Sequence, residues 1–227
     1  MNLLITICAR GGSKGIPGKN LMAINGIPLI AYSIKHAIEF ATFHRSDIAL
    51  STDDDKIKEV ALEYGLDSQY KRPDYLATDE AGKLDTINDL IKFEECVRNK
   101  KYDFILDLDV SSPLRNIDDL NFAFESLVSN PEAINLFSVN KANRNPYFNM
   151  VERQSDGFFG LVKHGKFLTR QSAPAVFDLN ASFYFYRRSF FNQNYFTVIN
   201  SRSIIYEMPH LCFDLDHMID YQFIEFL

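Results

Sequence analysis

The sequence predicts an α/β fold in which helices cover both faces of a doubly wound, mainly parallel sheet. The first observation is that short apolar runs alternate with segments whose apolar residues recur at helical spacing. The second is that the first apolar run ends in a glycine-rich loop, a place where folds of this class carry function. The third is length, because 227 residues with 46% hydrophobic content suffice for one such domain with a small excursion.

The alternating runs give the order of the elements. Aspartates at the end of the second apolar run, Asp53–Asp55, favour the start of a helix through capping and the helix dipole, and Gly65 is suited to end that helix. The predicted strands are Leu3–Cys8, Asp47–Thr52, Tyr102–Val110, Ala133–Val139 and Ala181–Tyr186. The predicted helices are Leu29–Phe40, Lys56–Tyr64, Leu84–Arg98, Ile117–Val128 and Ile219–Leu227.

Residues 140–177 interrupt this alternation. The stretch Asn143–Pro146 is rich in turn formers, and two extended runs flank Ser155-Asp156-Gly157, which is a hairpin signal. We therefore expect an α/β domain made of residues 1–139 and 178–227, with residues 140–177 as a small hairpin-containing lobe.

Composition narrows the class of protein. A net charge of −6 argues weakly against nucleic-acid or anionic-membrane binding, and no apolar stretch is long enough to cross a bilayer. The three cysteines, Cys8, Cys96 and Cys212, have neither a disulfide pattern nor zinc spacing, and no secretory signal is visible at the N-terminus. These features predict a cytoplasmic protein.

The loop Ala9–Asn20 is suited to a polyanion. Its four glycines allow backbone N–H groups to approach phosphate oxygens, and Arg10, Lys14 and Lys19 add positive charge. It contains no G-x-G-x-x-G, and five residues rather than four separate Gly12 from Gly18, with Asn20 where a Walker loop has a hydroxyl. The alternative is a basic surface loop without a ligand.

Two Asp-Leu-Asp triplets, Asp107–Asp109 and Asp214–Asp216, are candidate metal sites. Alternate side chains of a strand share a face, so each triplet can project two carboxylates in one direction toward Mg²⁺. From the residues alone, solvated acids at the ends of strands explain either triplet equally well.

An ordered set of short motifs resembles the sugar cytidylyltransferases, and among them the acylneuraminate cytidylyltransferases. The matching residues run from the first strand to the C-terminus: Arg10–Gly15 with Lys19–Leu21, Ser51–Asp53, Arg72-Pro73, Leu76–Asp79, Ser112–Arg115, Arg170-Gln171, Asn180–Ser182 and Asp214–Asp216. The resemblance implies a fold of the nucleotide-diphospho-sugar transferase type, and a transfer of CMP from CTP to an acidic nine-carbon sugar. It also implies Mg²⁺ and a homodimer in which the lobe packs on the second subunit.

The same resemblance implies roles for individual residues. Arg10, Lys19 and Asp216 are the catalytic candidates, and Asp214 and Asp216 are the candidate Mg²⁺ ligands, with Asp216 as the main one. The nucleotide-binding candidates are Ala9, Arg10, Gly11, Gly12, Ser13, Lys14, Lys19, Asn20, Arg72, Ala77 and Thr78, with Asp79 a weaker one. The sugar-binding candidates are Asp109, Arg170, Gln171, Asn180, Ser182 and Tyr184.

The sequence departs from the neuraminate-activating pattern at Asp109, where those members typically carry Gln. Three stretches together are more similar to the branch of the family that activates legionaminic acid: Asp107–Asp109, Asn145–Asn149 and Arg170–Pro174. Phe148 stands where the family often has lysine, so either another residue, of which Arg144 is a candidate, takes the role of that lysine or the role is absent here. The alternatives are a Kdo-type synthetase and a sensor that binds nucleotide sugars without turnover.

Overall fold

The computed structural model describes residues 1–12, 15–193 and 195–227. The strands are β1 (Leu3–Cys8), β2 (Ala23–Ile24), β3 (Ile27–Pro28), β4 (Asp47–Ser51), β5 (Phe104–Leu108), β6 (Asn135–Lys141), β7 (Val151–Arg153), β8 (Phe159–Leu161), β9 (Phe177–Arg187) and β10 (Ser203–Glu207). The α-helices are α1 (Leu29–His44), α2 (Asp55–Glu63), α3 (Lys83–Val97), α4 (Ile117–Val128) and α5 (Met218–Phe226).

Six strands form the central sheet, in the order β10-β6-β9-β5-β1-β4. The pairs β1–β4, β1–β5 and β6–β10 are parallel, whereas β9 runs antiparallel to both of its neighbours. Five strands therefore point the same way, and the predicted mainly parallel α/β fold is confirmed. Their carboxyl ends meet at one edge of the sheet, where ligands bind in open α/β folds.

Alternation along the strands sends side chains into two cores. On β1, Leu3, Ile5 and Ile7 pack with α1, α2, α4 and α5, whereas Leu4 packs on the opposite face with α3. The helix α4 begins at a capping box, in which Asn116 and Asp119 bond to each other's backbone N–H groups. Both faces of the sheet are thus covered, as a mainly parallel sheet requires.

The excursion lies between β6 and β9. It contains the hairpin predicted around residues 155–157, with Val151 paired to Leu161 and Gly157 at a positive φ of 89°. β9 begins at Phe177, four residues before the predicted Ala181, because the chain pairs with the extended end of β6 as soon as it leaves the lobe.

The sequence analysis missed the edge strand β10. Ile204 and Tyr206 pack against the core while Ile205 and Glu207 are exposed, but an alternation over five residues that include two adjacent isoleucines is too short to mark a strand. Pairing with β6 defines the strand, and that contact is remote in sequence.

Candidate active site

Backbone contacts fix the first loop at the carboxyl end of β1. Ala9 N–H donates to the carbonyl of Ser51 at 2.9 Å, and Gly11 N–H donates to Asp53 Oδ1 at 3.0 Å. The buried Asn20 donates from Nδ2 to the Arg10 carbonyl at 2.9 Å, which closes the loop on itself. Ser13 and Lys14, predicted to seat phosphates, lie outside the described residues.

Two glycines of the loop lie where a side chain would not fit. A Cβ on Gly11 would stand 2.7 Å from Asp54 Oδ2, and one on Gly15 would stand 2.8 Å from the Asp216 carbonyl oxygen. The second contact is with backbone, which cannot rotate away. It brings the glycine loop directly against the C-terminal Asp-Leu-Asp triplet.

Of the two predicted cations with described side chains, Lys19 lies at this contact and Arg10 pairs elsewhere. Lys19 Nζ donates to the Leu215 carbonyl at 2.7 Å and lies 3.4 Å from Asp216 Oδ1. Arg10 Nη1 pairs with Asp79 Oδ1 at 2.7 Å, and both side chains are partly exposed. Lys19 therefore joins the first loop to the triplet, while Arg10 reaches the loop that follows residue 76.

Asp214 and Asp216 differ in environment. Burial, followed by the charges of Asp109 and Asp216, raises the pKa of Asp214 to about 7. Its Oδ1 is buried without a hydrogen-bond partner, whereas the Asp216 side chain is 65% exposed. An orphaned carboxylate oxygen beside a second carboxylate fits a hard divalent cation such as Mg²⁺. Among the described residues no cluster of three or more His, Cys, Asp or Glu side chains suits a metal.

A cavity of about 230 Å³ opens between the first loop and α3. Arg10, Arg72, Thr78 and Asp109 are among the residues that line it. Arg72 is itself buried, and its Nε and Nη2 donate to the Ser51 hydroxyl and carbonyl. Ala77 directly precedes Thr78 in the turn after Leu76. The predicted nucleotide residues of three separate loops thus meet around one space.

The sequence analysis missed Lys83, the first residue of α3. Its Nζ lies 2.9 Å from Asp107 Oδ2 and 2.7 Å from Asp109 Oδ2, and the residue lines the same cavity. Nζ also lies 4.8 Å from the centre of the Tyr184 ring. The one local signal for Lys83 was its position a few residues after the Leu76–Asp79 motif. Its carboxylate partners lie at the end of β5, remote from it in sequence.

Arg115 was predicted only as part of a motif, and the structure gives it a connecting role. The buried guanidinium donates to the carbonyls of Ser112, Ser182 and Asp109 and to the Ser33 hydroxyl. It has no carboxylate partner among these contacts, and burial lowers its pKa to about 10. Arg115 holds the loop after β5 against β9 and α1.

The predicted sugar residues fall into three groups. Asp109 lies at the wall of the 230 Å³ cavity, and Asp109 and Tyr184 both contact Lys83. Asn180 and Ser182 are buried in a bulge of β9, where Asn180 Oδ1 accepts from Ser138 Oγ and Ser182 Oγ donates to the Ser112 carbonyl.

Arg170 and Gln171 form the third group and lie in the lobe. They line a separate cavity of about 370 Å³, and Arg170 Nη2 donates to the Ala142 carbonyl at 2.8 Å. The structure of one chain does not bring them to the cavity of Arg10 and Lys83.

Ala181, between Asn180 and Ser182, has a φ of 53°, a left-handed conformation that costs energy for a residue other than glycine.

Comparison with known proteins gives consistent results. A family model described as Cytidylyltransferase matches residues 4–208. The chain is 40% identical to post-translational flagellin modification protein B of Campylobacter coli, covering 99% of this chain and 94% of the relative. It is also 40% identical to the CMP-N,N'-diacetyllegionaminic acid synthase of Campylobacter jejuni, with the same coverage.

Among solved structures, CMP:2-keto-3-deoxy-manno-octonic acid synthetase complexed with CTP is similar in fold. The TM-score is 0.68 at 16% identity, and the match covers 99% of this chain and 97% of that one. Among the described residues, no helix has both the length and the apolar content needed to cross a bilayer.

Proposed function

The chain belongs to the cytidylyltransferase family, and from that premise we propose that it transfers CMP from CTP to a nonulosonate, releasing pyrophosphate. The observation that carries the proposal is the meeting of cations and carboxylates at the carboxyl edge of the sheet. Arg10 and Arg72 line one cavity, and Lys19 contacts Asp216 at 3.4 Å beside the glycine loop. Such a set is suited to a nucleoside triphosphate with its counter-cation.

The reaction needs positioning and charge neutralisation more than covalent chemistry. The anomeric oxygen of the sugar forms a bond to the α-phosphorus of CTP while the bond from that phosphorus to pyrophosphate breaks, and the hydroxyl proton passes to solvent. Arg10 and Lys19 stabilise the negative charge that builds on the transferring and leaving phosphates. Asn20, fixed by its bond to the Arg10 carbonyl, lies in the loop that would hold the α-phosphate.

Asp214 and Asp216 are the residues that would hold Mg²⁺. When bound, the ion would neutralise phosphate oxygens and lower the pKa of the attacking hydroxyl. Asp216 also forms an ion pair with Lys19, so the ion and the lysine would share one carboxylate. The number of ions is a matter for titration of the protein with Mg²⁺ and CTP.

Legionaminic acid is the substrate we propose first. The relative from Campylobacter jejuni carries that activity in its name and shares 40% identity over nearly the whole chain. Asp109 supports the choice, because it replaces the Gln that neuraminate-activating members typically carry. N-acetylneuraminate is the alternative within the same reaction.

We also propose a homodimer built through the lobe, in a cytoplasmic protein. The lobe exposes apolar side chains that nothing in one chain covers: Val151, Phe158, Phe159 and Leu168. Exposed apolar clusters of this kind mark protein interfaces. Dimerisation would also carry Arg170 and Gln171 toward a partner's site, since they lie away from the cavity of their own chain.

The test is pyrophosphate release with CTP and Mg²⁺ in the presence of di-N-acetyllegionaminate, N-acetylneuraminate or Kdo. Preference for the legionaminate supports the full proposal. Preference for the neuraminate keeps the reaction and removes Asp109 as a marker of specificity. If the protein binds CTP but releases no pyrophosphate with any of the three sugars, it would be a sensor instead.

A further inference from the structure

We infer that Lys83 is a positioning residue, which orients the Asp109 carboxylate so that Asp109 accepts hydrogen bonds from the sugar. The inference rests on the proposed function and deepens it. It concerns a residue that the motifs did not single out.

The first step is the contact itself. Lys83 Nζ lies between Asp107 Oδ2 at 2.9 Å and Asp109 Oδ2 at 2.7 Å. Asp107 is completely buried, and its Oδ1 accepts from Thr6 Oγ1 at 2.9 Å. A buried carboxylate of this kind needs a compensating cation, and Lys83 provides it.

The second step is the orientation of Asp109. Its Oδ1 accepts from both the backbone N–H and the hydroxyl of Ser111, at 2.9 and 2.7 Å, while Oδ2 accepts from Lys83. Each oxygen of the carboxylate therefore has a fixed partner, so the group cannot rotate. The side chain is still 23% exposed at the wall of the cavity.

The third step is the anchoring of Lys83. Thr6, Asp107 and Tyr184 are register partners across three adjacent strands, and Lys83 lies over this row from the start of α3. Burial lowers the pKa of Lys83, but the charges of Asp107 and Asp109 outweigh it and the net pKa lies well above its usual value, so the lysine is charged at neutral pH. The lysine thus ties the first turn of α3 to the strand ends beneath the cavity.

The chemical consequence concerns the sugar. A carboxylate oxygen has more than one lone pair, so Asp109 can still accept hydrogen bonds from hydroxyl or amide N–H groups of a substrate. Because it only accepts, it selects donors, whereas an amide side chain in that position offers both an acceptor and a donor. Lys83 acts through Asp109 by fixing which way those lone pairs point.

A double-mutant cycle tests this. The variants are Lys83→Met, Asp109→Asn and the pair together, with Lys83→Arg as the conservative variant. Lys101→Met serves as the matched control, because Lys101 also pairs with a buried acid, Glu95, but lies away from the cavity. The readouts are KM for the sugar, kcat, and CTP affinity by calorimetry.

We expect each single variant to raise KM for the sugar about tenfold, the size of one lost charge-assisted hydrogen bond. CTP affinity should stay within about twofold, and the double variant should be no worse than the poorer single one. Lys83→Arg should recover part of the loss, and Lys101→Met should match the wild type.

Additive effects in the double variant would overturn the inference, as would loss of CTP affinity with an unchanged KM for the sugar. Should Lys83→Met fail to fold because Asp107 is left unpaired, Lys83→Met with Asp107→Asn replaces it, judged by the same readouts. A wild type that releases no pyrophosphate with any nonulosonate overturns the proposed function and this inference together. An active wild type with a normal Lys83→Met overturns this inference alone.

Discussion

Acidification should weaken the fold through His36. This histidine lies on α1, and among the described residues its buried Nδ1 has no hydrogen-bond partner. It lines a third cavity, of about 440 Å³, together with Arg115 and His210. Burial, with a smaller contribution from the Arg115 charge, lowers the pKa of His36 from 6.5 to about 3. The unfolded chain therefore binds a proton at this residue at a pH where the folded protein does not.

The sign and size follow from this difference. Because the unfolded state binds more protons between pH 6.5 and 3, the free energy of unfolding falls as pH falls through that range. Each pH unit is worth about 1.4 kcal/mol, so pH 5 costs about 2 kcal/mol relative to pH 7.5. The perturbation is His36→Gln, which removes the titrating group.

Urea unfolding followed by circular dichroism is the assay, since the chain has no tryptophan. The wild type should lose about 2 kcal/mol more than His36→Gln between pH 7.5 and 5, or about 1 M in urea midpoint. Other titrating groups, including His210 with its raised pKa, are common to both proteins and cancel in the comparison. Equal losses in the two proteins, at one protein concentration, would refute the reasoning.

Three further outcomes test the site. Asp216→Ala should lower Mg²⁺-dependent turnover by about 10²-fold or more and leave the circular dichroism spectrum unchanged, and near-normal activity would remove Asp216 from the metal site. Gly15→Ala should destabilise the protein by about 1–3 kcal/mol in urea unfolding, because its Cβ meets the Asp216 carbonyl at 2.8 Å; Gly12→Ala, whose Cβ would meet no described atom within 4 Å beyond its chain neighbours, is the control, and equal stabilities would contradict the clash. Mixed dimers of Arg170→Ala and Asp216→Ala subunits should recover activity that neither variant has alone, and no recovery in verified heterodimers would count against a shared site.

Local signals were enough to predict much of the fold. β1 and α4 begin and end where the sequence places them, because a buried apolar run and a capping box are defined by neighbouring residues. β10 was missed because the strand it pairs with, β6, lies some 68 residues away along the chain.

In the candidate site, too, the sequence shows the local motifs but not the contacts between distant residues. The glycine loop and the Asp214–Asp216 triplet are each visible in sequence, but their contact joins residues 197 positions apart, and only resemblance linked them beforehand. Lys83 escaped notice because a lysine at the start of a helix is ordinary until its carboxylate partners are known. Ser182 was predicted to bind the sugar, and the sequence does not show that its side chain is fully buried and donates to the Ser112 carbonyl.

The placement of the lobe has a consequence for how such enzymes diversify. Its two ends leave and re-enter the sheet side by side, where Lys141 of β6 pairs with Phe177 of β9. The intervening segment can therefore be lengthened, shortened or exchanged for another without altering the register of any core strand. Residues 142–176 are therefore a suitable segment to replace in chimaeric proteins, in which new partner contacts are added to an unchanged nucleotide-binding domain.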